Sequence, residues 1–275
     1  MQRNPLDQYR SAFPGYEVDH VLGHGGAAVV FRAVEQAGGK QVAIKLLIDT
    51  TSSAELMRFE REAKAYAALS HPNLLKIHAS HLAGALPFLV LEYIPGKDLR
   101  RRLTSGGKLD PVGIGSSLAS AVACLHQSGI LHRDIKPSNV MLRSDSDPVL
   151  SDLGLAKRVQ LGAMAKSSSG NRMGTLGYFA PERLNGGIAS AASDVYSLAL
   201  VLYEIAAGRC IFSAPAGQGI GPIDRSREPP PSLASAGIKA PPRFAEALSN
   251  CLSVRPEERP SADALVSCFN ALKDR

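Results

Sequence analysis

Residues that can bind a metal ion or transfer a proton are densest from His132 to Asn139, in the sequence His-Arg-Asp-Ile-Lys-Pro-Ser-Asn. Asp152 follows thirteen residues after Asn139. Asn139 and Asp152 offer two hard oxygen ligands of the kind that Mg²⁺ takes from proteins, while water and phosphate complete its coordination. Asp134 then remains to accept the proton of an attacking hydroxyl group. The pattern therefore predicts a magnesium site beside a general base.

Two features nearer the N-terminus could bind an anionic group. The glycine-rich turn within residues 22–30 can bring backbone N–H groups close to phosphates, because glycine has no Cβ to block the approach. Lys45 ends an apolar strand, where a charge is costly to desolvate unless it is paired, and Glu62 could supply the opposite charge. Neither feature is specific by itself. An ordinary hairpin can also contain glycines, and Lys45 and Glu62 could both be ordinary surface residues.

The elements that would position these residues change in character along the chain. Up to about residue 95, β-branched runs broken by glycines predict a small sheet, and Ser52 with Glu55 predicts the start of a single helix that ends near Ala68. After Pro95-Gly96 the pattern is mainly helical, with an amphipathic helix over 114–125 and a strongly apolar helix that Ser193 is predicted to cap. Residues 157–178 indicate a long exposed loop, a feature that is usually functional or mobile.

Composition narrows the class of protein. The 275 residues are 45% apolar and 20% charged, which is ordinary for a globular protein of one domain or two lobes. The net charge of +6 fits an anionic ligand or partner. No basic pattern is interleaved with aromatic residues, so nucleic acid is not a predicted partner. We interpret the triplet Arg100-Arg101-Arg102 as a solvated helix face.

The four cysteines lie too far apart for a metal site, so they are interpreted as small buried hydrophobes in a reducing compartment. The first fifteen residues lack the apolar core of a signal peptide, and the most apolar stretch, from Leu198 to Ala207, is too short to cross a bilayer. We therefore expect no membrane span in this chain and a cytoplasmic location.

Together the motifs resemble the eukaryotic-type (Hanks-type) serine/threonine protein kinase family, over about residues 16–272. In order they are the glycine-rich loop, Val-Ala-Ile-Lys, His-Arg-Asp-x-Lys-x-x-Asn, Asp-x-Gly and Ala-Pro-Glu. The resemblance implies an α+β, two-lobed protein-kinase-like fold behind an N-terminal extension at residues 1–15. The small β-rich lobe (about 16–94) would hold a five-stranded sheet and one main helix, and the larger, mainly helical lobe would span about 97–272. The amino-acid sequence of residues 134–142 resembles that of bacterial members of the family.

The resemblance also implies roles for single residues in phosphate transfer from ATP. Asp134 would orient the substrate hydroxyl and accept its proton, and Lys136 would neutralise charge at the γ-phosphate. Asn139 and Asp152 would hold Mg²⁺, with Mn²⁺ as an alternative ion. A lysine at position 136 favours Ser/Thr over Tyr acceptors.

The predicted ATP contacts are distributed over three parts of the sequence. The glycine-rich loop would cover the phosphates, Lys45 would contact the α- and β-phosphates while held by Glu62, and further residues would enclose the adenine or, in the case of Leu91, guard a back pocket. The full set is Leu22, Gly23, His24, Gly25, Gly26, Ala27, Ala28, Val29, Val30, Ala43, Lys45, Glu62, Leu91, Glu92, Ile94 and Met141. In this set Ala28 replaces the third glycine of the family loop.

The resemblance assigns scaffold roles to three further residues. His132 would stack with Leu153, Tyr66 and Ile77 above Asp194, rather than act as a base. Glu182 and Arg259 would form a buried ion pair. Leu153 stands where phenylalanine is commonest in the family.

Two other classes of protein remain as alternatives. A pseudokinase with the same fold would show damage at Lys45, Asp134, Asn139 or Asp152, and all four are intact. A small-molecule phosphotransferase would need neither Lys136 nor the peptide-receiving platform from Gly174 to Glu182.

Control of the activity is predicted from Arg133, whose charge beside Asp134 is unfavourable to leave unpaired. A phosphate on Ser167 or Ser169 could pair with it and order the loop, with Thr175 as a structural contact. The expected partners are protein substrates, ATP and a second copy of this chain, as a transient homodimer for autophosphorylation. The alternative is a serine-rich loop that is merely polar.

Overall fold

The computed structural model describes residues 9, 12–24, 28–47, 57, 60, 63–64, 66–82, 86–152, 177–208 and 229–273. The chain divides into two units that interleave in sequence. The first unit comprises Met1–Ser70 and Leu75–Pro95, and the second comprises His71–Leu74 and Gly96–Arg275.

The first unit is built on a five-stranded antiparallel sheet, in which the strands follow the chain order except that the fifth lies between the third and the fourth. This is the sheet that the family resemblance implied. Most of the predicted helix over 52–68 lies outside the described residues, but the described ones between 57 and 67 are helical. The strands are β1 (Tyr16–His24), β2 (Ala28–Glu35), β3 (Gln41–Leu47), β4 (Ile77–His81) and β5 (Phe88–Glu92).

The core of this unit covers one face of the sheet, because successive side chains of a strand point to opposite faces. Alternate residues of β2, β3 and β5 form it, among them Phe31, Ile44 and Phe88. Phe13, which precedes β1, is 1% exposed and packs on this face, with ring centroids 5.9 Å from Phe31 and 4.9 Å from Phe88. Tyr9 adds a third ring, 5.2 Å from Phe31. The packed core therefore includes residues of the segment predicted as an extension.

Helices dominate the second unit. The longest described ones, α2 (Pro111–Gln127) and α4 (Ala191–Ala207), have 17 residues each. In α4 the residues from Ser193 to Ile205 are all buried, and α2 packs against both α4 and α6 (Ala262–Lys273). Gly115 on α2 allows this close approach, since a Cβ there would lie 3.2 Å from Leu202 and 3.3 Å from Phe269. The helices are α1 (Leu99–Thr104), α2 (Pro111–Gln127), α3 (Pro181–Leu184), α4 (Ala191–Ala207), α5 (Pro242–Cys251) and α6 (Ala262–Lys273).

The start of α4 corrects one prediction. Ser190, not Ser193, is the N-cap: its side chain accepts a hydrogen bond from the Ser193 backbone at 3.2 Å, while the Ser193 side chain accepts one from the Ser190 backbone at 2.9 Å. This reciprocal pair is a capping box with serine at both positions. The helix ends at Gly208, whose φ of 66° is left-handed.

A small hairpin joins β6 (Val140–Ser144) to β7 (Asp147–Leu150), and the short segment from residue 71 to 74 lies beside it. The Leu150 N–H donates to the Asn73 carbonyl at 2.8 Å, and Leu74 forms a parallel bridge with Leu150. The Asn73 side chain donates to the Pro148 carbonyl at 2.7 Å. These four residues thus extend the hairpin that precedes Asp152.

Within the described part of the chain, no helix combines the length and apolarity that a bilayer crossing requires. Cys251 is buried, and burial raises the pKa of its thiol to about 12. Cys124 and Cys268 are half-buried and free, while Cys210 lies outside the described residues.

Candidate active site

The segment from His132 to Asn139 is fixed from below by one buried carboxylate. Asp194, which is 2% exposed, accepts hydrogen bonds from the backbone N–H groups of His132 and Arg133, each at 2.8 Å. The same carboxylate also lies 3.1 Å from the side-chain Nε2 of His126. Asp194 also lies in the first turn of α4, where the helix dipole favours negative charge. The loop backbone is therefore held to the most buried helix of the unit.

Asp134, Lys136 and Asn139 meet at one carboxylate oxygen. Lys136 Nζ lies 3.0 Å from Asp134 Oδ2, and Asn139 Nδ2 donates to the same oxygen at 3.0 Å. Asn139 also donates to the Asp134 carbonyl at 2.8 Å. Asp134 is 8% exposed. These contacts hold the Asp134 carboxylate in one orientation, and the Lys136 ammonium beside it can neutralise an incoming anionic group.

His132 is a scaffold residue of the site. Its ring is 1% exposed, and its Nδ1 accepts from the Asp134 N–H at 3.3 Å. The opposite nitrogen, Nε2, lies 3.0 Å from the Ser151 carbonyl and therefore carries the ring proton. Burial lowers the pKa of the imidazole. A neutral ring with both nitrogens engaged agrees with the structural role predicted for His132, although Leu153 lies outside the described residues.

Asp152 is connected to Asn139 through its neighbour. Ser151 donates to the Asn139 carbonyl twice, from its backbone at 2.8 Å and from its hydroxyl at 3.1 Å. Asp152 has a φ of 54° and Arg133 a φ of 67°, both in the left-handed region. Such strain costs on the order of 1–3 kcal/mol per residue and tends to occur at functional sites. Among the described residues of this unit, the non-glycine residues with positive φ are these two, on the segments that carry the predicted metal ligand and base.

The donors present suit a hard divalent cation. The described residues contain no group of three or more His, Cys, Asp or Glu side chains that could enclose a metal. One amide oxygen and one carboxylate are instead the kind of partial set that Mg²⁺ uses when phosphates and water supply the other ligands. Asn139 and Asp152 therefore fit the ion that the sequence predicts.

In the first unit, the predicted nucleotide residues share the sheet face opposite the core. Val30 pairs with Lys45, and Ala43 pairs with Leu91. Since Ile44, between Ala43 and Lys45, lies in the core cluster, its two neighbours point to the other face. Val29 belongs to the core cluster, so only its main chain could contact a nucleotide on that face.

The remaining predicted contacts lie at strand ends. Gly23 and His24 pair with Val30 and Val29, and Leu22 lies where the register between β1 and β2 shifts. Ala28 begins β2, and the Glu92 N–H donates to the Lys76 carbonyl at 2.9 Å. Ile94 is 5% exposed, and Met141 belongs to the second unit, in β6. Outside the described residues lie Gly25, Gly26, Ala27, Glu62, Ser167, Ser169, Gly174 and Thr175.

The predicted ion pair between Glu182 and Arg259 is confirmed. The guanidinium binds the carboxylate in a bidentate manner, through two hydrogen bonds of 2.8 Å, and the Arg259 side chain has no exposed surface. Arg259 also lies over the Tyr196 ring, 4.8 Å from its centroid. This pair fixes α3 to the segment before α6.

The interpretation of the arginine triplet as a solvated face is wrong for Arg100, whereas Arg101 and Arg102 form pairs at the surface. It holds for Arg101, which is 71% exposed and pairs with Asp98. Arg102 forms a bidentate pair with Asp145 at 2.7 Å, and Arg100 lies 3.6 Å from the carboxylate of Glu204. Sequence reasoning missed Glu204, although a lone acid in the apolar run of α4 signals a buried partner.

Comparison with known proteins places the chain in a family. The family model described as "protein kinase domain" matches residues 16–268. Serine/threonine-protein kinase PrkC of Bacillus subtilis is 34% identical over 202 residues, which are 72% of this chain and 31% of PrkC. Serine/threonine-protein kinase PkaA of Streptomyces coelicolor is 32% identical over 269 residues, 91% of this chain and 48% of PkaA. The chain thus spans less than half the length of each of these relatives.

One solved structure extends the comparison to the fold. The crystal structure of the Mycobacterium tuberculosis PknI kinase domain, in a mutant form, superposes with a TM-score of 0.69 at 26% sequence identity. The match covers 95% of this chain and 96% of that one.

Proposed function

Because this chain belongs to the protein kinase family, among its bacterial Hanks-type serine/threonine members, we propose that it transfers the γ-phosphate of ATP to Ser or Thr hydroxyls of proteins. The observation that carries the proposal is the cluster in which Lys136 and Asn139 hold one carboxylate oxygen of Asp134. In this proposal Asp134 orients the acceptor hydroxyl and takes its proton, and Lys136 neutralises charge on the transferred phosphate.

Asn139 and Asp152 would hold Mg²⁺, or Mn²⁺ in its place. When bound, the ion would screen the negative charge of the phosphates. The protein's own part is to keep the two oxygen donors together, through the Ser151 bonds to Asn139. Lys45 would bind the α- and β-phosphates in a pair with Glu62. Val30 and Ala43 would offer an apolar face to the adenine, and Leu91 would guard the back pocket.

Replacing one catalytic oxygen tests the proposal. We expect Asp134→Asn to lower kcat by about 10²-fold or more, since removing a preorganised group at the reacting centre typically has that effect. The assay follows transfer of label from γ-labelled ATP with Mg²⁺ to a protein substrate. Asp145→Asn is the matched control, because that carboxylate is 60% exposed and lies on the hairpin, away from the loop. Wild-type turnover by the Asp134→Asn variant would overturn the proposal.

Regulation and setting are extensions of the same proposal. Autophosphorylation within a transient homodimer would place a phosphate on Ser167 or Ser169, and this phosphate would pair with Arg133. The kinase would serve cytoplasmic signalling. Mass spectrometry of the purified protein, after phosphatase and again after incubation with ATP, tests this. An unmodified loop over 166–175 in a fully active enzyme would contradict it.

A further inference from the structure

One charged side chain of the first unit lies on the sheet face that carries the predicted nucleotide contacts. Arg32 stands between Phe31 and Ala33 of β2, which both belong to the core cluster, so its side chain points to the opposite face. The register pairs Arg32 with Ala43 on β3, and it pairs Ala43 with Leu91 on β5. Arg32 therefore shares a row of the sheet with two residues of the predicted nucleotide set.

The guanidinium of Arg32 has partners on both sides of this row. On β1, the Asp19 carboxylate accepts a hydrogen bond from Arg32 Nε at 2.8 Å, and the two side chains are 35% and 38% exposed. Asp19 raises the pKa of the guanidinium, and the Tyr93 hydroxyl beside it raises this pKa as well. Tyr93 comes directly after the end of β5. Arg32 thus lies between the first strand and the segment that follows the last one.

The contact between Arg32 and Tyr93 passes across β3. Since β2 and β5 both pair with β3, their backbones lie about 9–10 Å apart. Ala43, which stands between them in the row, has only a methyl group and leaves room for the longer arginine and tyrosine side chains. The segment after β5 is therefore connected to β2 through side chains as well as through the backbone hydrogen bonds of the sheet.

Tyr93 separates the two residues whose backbone groups are predicted to face the edge of the adenine, Glu92 and Ile94. A backbone that is held in its binding orientation before the ligand arrives loses less freedom on binding. An ion pair as exposed as that of Arg32 and Asp19, by contrast, contributes little to the stability of the fold. The effect of Arg32 is therefore expected on ligand binding rather than on folding.

We propose that Arg32 is a positioning residue for the adenine base: it holds Tyr93 and thereby fixes the backbone of Glu92 and Ile94 for the purine edge. The inference rests on the proposed function, because it concerns the nucleotide of that reaction. Asp19 neutralises the guanidinium, so Arg32 does not serve to attract the phosphates.

The test compares adenosine, which has no phosphate, with ATP. Arg32→Met keeps a long side chain but removes the donors. We expect it to raise the Kd of adenosine, measured by calorimetry, and the KM for ATP by the same factor of about three to five, because a partly exposed contact is lost. The value of kcat at saturating ATP should stay unchanged. A weaker affinity for ATP with an unchanged affinity for adenosine would overturn the proposal, since it would show that Arg32 acts on the phosphates.

A second variant tests the link itself. Tyr93→Phe removes only the hydroxyl, and it should weaken adenosine binding in the same direction. The double variant should be no weaker than the weaker single one, because both changes break one contact. Additive losses would overturn the link between the two side chains. If Arg32→Met does not fold, as judged by circular dichroism, the comparison of Tyr93→Phe with wild type decides alone.

Lys40→Met is the matched control. Lys40 is an exposed cation of the same unit, on the turn before β3, and its Nζ lies 3.2 Å from the His78 ring. Its removal lowers the net charge by the same amount as Arg32→Met, but it should leave the affinity for adenosine unchanged. An equal loss of affinity in both variants would overturn the proposal, because it would show an effect of overall charge.

The adenosine measurement separates this inference from the function on which it rests. No phosphate transfer by the wild type to any protein would overturn the proposed function, while the adenosine comparison would still decide the role of Arg32. Equal adenosine affinities of wild type, Arg32→Met and Tyr93→Phe would overturn the role of Arg32 alone.

Discussion

Replacing Arg259 by methionine should lower the stability of the second unit far more than removal of an exposed arginine close by. All five N–H donors of the guanidinium are engaged, two of them with Glu182. The other three bind the backbone carbonyls of Ser253, Ala192 and Val254 at 2.9–3.1 Å. Breaking a buried ion pair from one side costs about 3–5 kcal/mol. Glu182 is 21% exposed and water can reach it, so we expect about 3 kcal/mol.

Arg255→Ala is the matched control. Arg255 lies four positions before Arg259 and pairs with Glu258. The side chains of Arg255 and Glu258 are 71% and 41% exposed. Such a surface pair contributes about 0–1 kcal/mol. Urea unfolding followed by far-UV circular dichroism suits a protein without tryptophan, and the six named helices of the second unit dominate that signal. With a slope of about 1–3 kcal/mol per M urea, Arg259→Met should lower the midpoint by at least about 1 M.

Equal midpoints for Arg259→Met and Arg255→Ala would refute the reasoning, because they would show that burial and the five bonds of Arg259 contribute nothing beyond a surface pair. Arg259→Lys should fall between the two, since a lysine keeps the charge but offers three donors in place of five.

Three further predictions concern stability elsewhere in the chain. Phe13→Ala should destabilise the sheet of the first unit by about 3–5 kcal/mol, seen as faster hydrogen exchange of β2 and β5 amides, whereas Leu86→Ala at a side chain 37% exposed should not. Stability should fall as the pH drops below about 6.5, because burial lowers the pKa of His132 and the unfolded state then binds a proton that the native state does not. A pH dependence that is unchanged in His132→Gln would contradict this assignment. Ser190→Ala should cost about 1 kcal/mol through loss of the α4 cap, measured by urea unfolding against Ser267→Ala on an exposed position, and equal costs would count against the cap.

The sequence allows the strands of the first unit and the meeting of Asp134, Lys136 and Asn139 to be predicted, because both depend on short-range patterns. Strand faces follow from a period of two, and three polar residues within six positions of one loop must lie close together. The roles of these residues in catalysis stay predictions. The predicted start of α4 lies three residues too late, because Ser193 directly precedes the apolar run while the capping pair also requires Ser190.

Contacts between distant parts of the chain could not be predicted in the same way. Arg100 and Glu204 are separated by more than a hundred positions, and an arginine within a basic triplet carries no local sign of a buried partner. Phe13 likewise resembles any aromatic residue near a terminus until β2 and β5 present Phe31 and Phe88 to it. The partners of Arg100 and Phe13 therefore depend on tertiary packing, which short-range patterns do not show.

The assignment of residues 71–74 to the second unit has a consequence for any attempt to dissect the gene. No single cut isolates the unit that holds Asp134, because four of its residues are encoded inside the stretch for the other unit. A fragment that begins at residue 96 would leave the Leu150 N–H, two positions before Asp152, without the carbonyl of Asn73. Recombination that exchanged the sheet-bearing half between relatives would import that carbonyl with it. Residues 71–74 and the hairpin at 140–150 must therefore stay together in any fragment that is to keep these contacts, although residues 75–95 between them belong to the first unit.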